Sequence, residues 1–225
     1  MSGITSGGSG DPQDGLIARL ASGLRPVTRL RPPWMRAASW LALSGAIAVL
    51  LALVKDLHPI AARLMAAPDM WLSVVGSALT AVLGAWATFQ LSLPDRSGAW
   101  ALLPLPSALL WLGASGLGCL RTWLLPGMHP ADMGETFQCF RFIVGLSLPL
   151  SVLLVVMLRR AAPLRPGLAS VVGGLAVAAA AATLLVFAHP YDASATDLAV
   201  HVIAVALVVI ANRAIGGRLL AMRFR

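Results

Sequence analysis

The sequence predicts an all-α, polytopic membrane protein with six transmembrane helices and both termini cytoplasmic. Three observations carry that prediction. The 225 residues are 58% hydrophobic and only 12% charged, with a mean hydropathy of +0.83, whereas about a quarter of the residues of soluble domains carry charge. The apolar residues gather into six runs, near 37–54, 70–93, 99–120, 142–158, 168–188 and 197–212, and a helix needs roughly 20 such residues to cross the hydrocarbon core. Finally, if the N-terminus is inside, 13 of the 17 basic residues fall in inward segments and only Lys55, Arg63, Arg121 and Arg141 face out, as the positive-inside rule demands. Asp56, Asp69, Asp132, Glu135, Asp192 and Asp197 lean outward. The net charge of +8 is therefore a topology signal, and no direct nucleic-acid binding is expected.

The expected organisation is a cytoplasmic tail over 1–36, a six-helix membrane domain over 37–215 and a basic cytoplasmic tail over 216–225. The first run follows a polar stretch with prolines and arginines, unlike a cleavable signal, so the first span is expected to stay. Residues 1–15 are Gly/Ser-rich without apolar periodicity, which predicts a flexible lead. From Leu16 the pattern changes: Leu16, Ile17, Leu20, Ala21, Leu24 and Val27 recur at helical spacing, with Arg19 and Ser22 opposite. That is a short amphipathic helix, expected to be capped by Asp14 and stopped by Pro26. Arg29, Leu30, Arg31, Pro32 and Pro33 form a stiff bridge to the first span, where Trp34 and Trp40 suit the interface. The apolar stripe Leu16, Leu20 and Leu24, with Arg25, Arg29 and Arg31, is the candidate partner-binding surface. The arginines suit an acidic protein or anionic lipid equally.

Residues 55–69 read as an outward loop without chemistry. In the second span Gly76, Thr80 and Gly84 form a small-residue face for close helix packing. Pro94 and Asp95 build an inward turn, Pro104 and Pro106 fall in the first turns of the third span, and Pro149 is expected to kink the fourth. Residues 121–141 read as the longest outer loop, carrying Trp123, His129, Asp132, Glu135, Phe137, Cys139 and Phe140. The sequence RRAAPLRP at 159–166 is an inward basic corner. Alanines at 176–182 predict a closely packed fifth span, which ends in His189 and Pro190. Asp197 and His201 stand one turn apart at the start of the sixth span.

Cys139, His189, Asp192, Asp197 and His201 could converge at the outer face. Cys139, His189 and His201 would suit zinc or a similar divalent metal, although their spacing matches no dedicated metal motif and ordinary loop packing accounts for them too. A disulfide between Cys119 and Cys139 is an alternative that spacing alone does not establish. Hydrolytic motifs, phosphate-binding glycine loops and nucleotide fingerprints are missing, so no enzyme and no cofactor beyond that metal is expected. The competing class is a small permease or metal-handling transporter, which would need ionisable groups or broken helices near mid-membrane. The spans carry essentially no charge there.

Several short stretches carry a resemblance: LRPVTRLRPPWMR at 24–36, FQLSLPD at 89–95, GCLRTW at 118–123, CFRF at 139–142 and Leu-Arg-Pro at 164–166 after a basic pair. In this order they resemble the NrsF family of bacterial inner-membrane anti-sigma factors, negative regulators of an extracytoplasmic-function sigma factor. The resemblance implies a six-span protein whose cytoplasmic N-terminal segment holds the sigma factor at the membrane and releases it after an outside stress. It also implies sensing by two periplasmic cysteines. Cys139 matches the first, but the second family cysteine, which precedes a proline after the fifth span, corresponds to His189 before Pro190. Either Cys119 takes the second role, or Cys139 and His189 are metal ligands, or this chain lacks the sensor.

Overall fold

A computed structural model describes residues 12–24, 30–55, 57–66, 68–124, 133–187 and 195–222, and every regular element among them is helical. The chain divides into two units, Met1–Leu30 and Arg31–Arg225.

In the first unit, α1 spans Pro12–Ser22. It begins before Leu16 because Pro12 occupies the first helical position, where a missing amide is harmless and the ring presets φ. Asp14 accordingly lies inside the first turn, where its charge suits the positive end of the helix dipole. The helix stops at Gly23, where the Leu24 amide folds back to the Ala21 carbonyl at 3.2 Å. Pro26 lies outside the described residues, so the stop expected there falls three residues earlier.

The second unit contains six helices long and apolar enough to cross a membrane. They are α2 (Pro33–Val54), α4 (Pro68–Leu91), α5 (Leu105–Leu124, entered through a 3-10 turn at Gly98–Leu102), α6 (Met133–Arg159), α7 (Pro166–Leu185) and α8 (Ala195–Ala211). A short α3 (Leu57–Ala66) precedes α4, and a π-helical segment (Asn212–Gly216) carries α8 on into α9 (Gly217–Ala221). Three sequence expectations are corrected. The supposed loop at 55–69 is largely α3, made of strong helix formers with Pro59 in its first turn. The fourth span starts at Thr136 rather than near Phe142, within a helix that begins at Met133, which puts Cys139 inside a helix. Hydropathy marks the apolar stretch, whereas the backbone ladder continues through the polar turns beside it. The sixth span runs past Asn212 for the same reason. There the Asn212 amide is satisfied by Ser151 Oγ and the Val208 carbonyl, both at 2.9 Å.

The bundle is centred on α7. Of its spanning stretch 72% is buried, against 11% for α2, as its alanine run led one to expect. Next to it lies α4, whose small residues admit close neighbours: a Cβ on Gly84 would lie 3.0 Å from Ala176 Cβ, and one on Gly76 would lie 2.7 Å from the Trp111 backbone nitrogen. The face read from Gly76, Thr80 and Gly84 is therefore a packing face. Hydroxyl pairs bind the same helices together: Ser73 with Ser115, and Thr183 donating to Ser77, each at 2.9 Å, contacts that serve as interhelical glue where water is excluded.

Candidate functional site

The arm helix α1 presents its apolar residues to solvent. Leu16, Ile17, Leu20 and Leu24 are 58%, 61%, 65% and 78% exposed. Four large apolar side chains on so short a segment form the kind of patch that marks an interaction surface. Leu24 stands just past the helix end and extends the patch along the chain. Arg31 is exposed at the start of the second unit, whereas Arg25 and Arg29 lie outside the described residues.

Sequence reasoning grouped Arg36 with the tail, but it belongs to the bundle. It sits in the first turn of α2 and is only 6% exposed. Its Nη2 donates to the Met157 carbonyl at 2.7 Å, its Nη1 donates to Ser92 Oγ at 3.2 Å, and the guanidinium lies 4.8 Å above the Phe89 ring. Ser92 Oγ in turn donates to the Phe89 carbonyl at 2.7 Å. The C-terminal ends of α4 and α6, each with unpaired carbonyls and a partial negative charge, thus converge on one buried cation. One turn further on, Trp40 is fully buried and its Nε1 donates to the Leu150 carbonyl at 3.1 Å. The start of α2 is fastened to α6 twice. The available signal was an arginine between Trp34 and Trp40 at the very edge of an apolar run.

These contacts place the start of α2 beside the ends of α4 and α6. Arg31 just precedes α2, Arg96, Arg159, Arg160 and Arg165 lie at the ends of or just after α4 and α6, and Arg213 and Arg218 lie in the continuation of α8 that packs on α7 and α6. At the opposite end Arg121 pairs with Asp69 at 3.4 Å.

The proposed sensing residues are distributed differently from expectation. Cys139 is not on a loop: it is 5% exposed and packs with Ile143, Ala181, Leu185 and Ala204, on α6, α7 and α8. Cys119, on α5, is half-buried and is not bonded to Cys139. His201, on α8, is half-buried and lines a cavity together with Asp69 and Arg121. His189 lies outside the described residues, as does the side chain of Asp197. Among the described residues no three His, Cys, Asp or Glu side chains gather closely enough to hold a metal.

Six helices long and apolar enough to cross a membrane are the architecture of a polytopic membrane protein, and the arm helix adds an exposed apolar stripe. The chain belongs to the NrsF family, described as negative regulator of sigma F, whose match covers residues 20–222. It is thus a negative regulator of a sigma factor, a regulatory rather than enzymatic role. The match takes in Leu20, Leu24, Arg36 and Cys139 and begins after Leu16. No curated protein and no solved structure matches the chain.

Proposed function

We propose that the chain is an anti-sigma factor of the bacterial inner membrane, with both termini cytoplasmic, that holds an extracytoplasmic-function sigma factor through its N-terminal arm. The observation that carries this reading is the exposed apolar stripe of α1 in a chain of this family. A helix laid into a partner's groove uses such i, i+4 anchors. Leu16, Leu20 and Leu24 supply the apolar contact, and Arg25, Arg29 and Arg31 pair with acidic groups on the sigma factor. Held at the bilayer, the sigma factor is kept from the polymerase core. The gathering of arginines at the Arg36 end supports placing that end inside.

Release follows a periplasmic redox or metal stress acting at Cys139, with Cys119 or His189 as the second group. Any adduct on the Cys139 sulfur needs space that Ala181, Leu185 and Ala204 now fill, so α6 must shift. Cys139 and Met157 lie on this same helix, about 27 Å apart at 1.5 Å per residue. A shift of α6 therefore bears on the carbonyl that grips Arg36, and through α2 on the arm joined to it by Pro32 and Pro33. The test is purification of the full chain from its own cells followed by mass spectrometry of what accompanies it. A sigma factor in the eluate that disappears after oxidant or metal treatment is expected. Its absence from unstressed cells would end this reading.

A further inference from the structure

The second unit holds a further feature, a slot with a polar head. Between α5 and α8, backed by α4 and α7, runs a cavity of about 580 Å³, a size typical of ligand pockets, roughly 300–1,000 Å³. Its walls are mostly apolar. Leu112, Val202 and Ile210 at its edge are 52%, 48% and 64% exposed, so it opens sideways, on the face that a bilayer would cover. Along α8 it extends from Leu198 to Ile210, about 18 Å at 1.5 Å per residue, from one end of the bundle toward mid-span.

The polar groups gather at that end. Ser73 and Ser115 bond to each other, and Arg121 Nη2 reaches Asp69 Oδ2 at 3.4 Å. Among the described residues, Arg121 Nε is buried and meets no acceptor. A buried donor on a charged group is costly to leave unsatisfied, so an acceptor oxygen at the head of this apolar slot would be favoured by the Arg121 guanidinium.

We propose that the slot binds a glycerophospholipid, with one acyl chain between α5 and α8 and its phosphodiester on Arg121. A chain can enter sideways only from the bilayer. A guanidinium matches phosphate oxygens in charge and geometry, and Arg121 stands in the last turn of its helix, at headgroup depth.

The test uses the full chain in mild detergent, titrated with phosphatidylglycerol and followed by native mass spectrometry. One lipid per chain is expected at low lipid ratios. Diacylglycerol with the same chains, lacking the phosphate, should bind at least about tenfold more weakly, the factor for one charge-assisted hydrogen bond. Joint replacement Asp69→Asn with Arg121→Gln, which keeps the pair's bulk, should lose a similar factor without lowering the melting temperature of the lipid-free protein. Ala206→Phe, which fills the slot, should weaken lipid binding with the polar end intact. Arg141→Gln, at a residue that does not line the slot, should change nothing, and millimolar inorganic phosphate should not displace the lipid. The proposal is overturned if diacylglycerol binds as tightly, if phosphate alone displaces the lipid, or if the paired replacement and Ala206→Phe both leave binding untouched.

Discussion

Arg36 donates to the carbonyl of Met157 at 2.7 Å, joining the first turn of one span to the last turn of another 121 residues away in sequence. The bond satisfies a carbonyl that the end of α6 leaves without a helical partner, and it places a cation where the dipoles of α4 and α6 are negative. The geometry therefore serves stability as well as position. Arg36→Ala should lower stability by about 1.5–3 kcal/mol, the range for hydrogen bonds to charged groups, read as thermal unfolding in detergent. Arg36→Lys keeps the charge but not the two-pronged grip on Met157 and Ser92, and should fall in between. Equal losses for both variants would show that charge contributes nothing at this site.

The two α4 glycines should respond differently to the same methyl group. Gly84→Ala presses on Ala176 Cβ, and Ala176→Gly in the same chain should recover most of the loss. Gly76→Ala presses on the Trp111 backbone nitrogen, which no side-chain truncation can move. It should cost more, within the 1–3 kcal/mol typical of overpacking, and should not be rescued by Trp111→Ala. Melting temperatures of the four variants decide the matter.

Loss of the arm's apolar stripe should uncouple the regulator from its partner without disturbing the bundle. Leu16, Leu20 and Leu24 all changed to Asp should leave the yield of membrane protein at the wild-type level and abolish co-purification of the sigma factor. Unchanged co-purification would remove these residues from the interface.

The two cysteines should differ in reactivity. Half-buried Cys119 should be modified by maleimide before Cys139, which the α6, α7 and α8 side chains cover, with intact-mass measurement of Cys119→Ser and Cys139→Ser chains giving the two rates. In cells, Cys139→Ser should blunt the response of a sigma-dependent reporter to oxidant or metal. A normal response would exclude Cys139 from sensing.

Much of the architecture was legible in order of chain. The six apolar runs became the six long helices, the Gly76–Thr80–Gly84 face proved to be close packing, and the alanine run of the fifth span marked the buried centre. Edges were less legible. The helix at 57–66 was hidden because it is too short and too mixed to register as a span, and the start of α6 was hidden by its polar turns. Of the arm stripe, Leu16, Ile17, Leu20 and Ala21 are helical as read, whereas Leu24 lies past a helix end near Gly23 that was missed in favour of the stronger breaker, Pro26. Arg36 was counted among tail arginines because nothing local announces a partner 121 residues away.

The sequence alone determined the six lipid-length apolar helices and the apolar periodicity of the arm, because each depends on preferences summed over neighbouring residues. Only the tertiary structure decided which span is central, where Cys139 lies and what grips Arg36. In a bilayer an apolar side chain is as well solvated by lipid as by another helix. For that reason α2 and α7, both strongly apolar, are 11% and 72% buried, and only packing between distant segments distinguishes them.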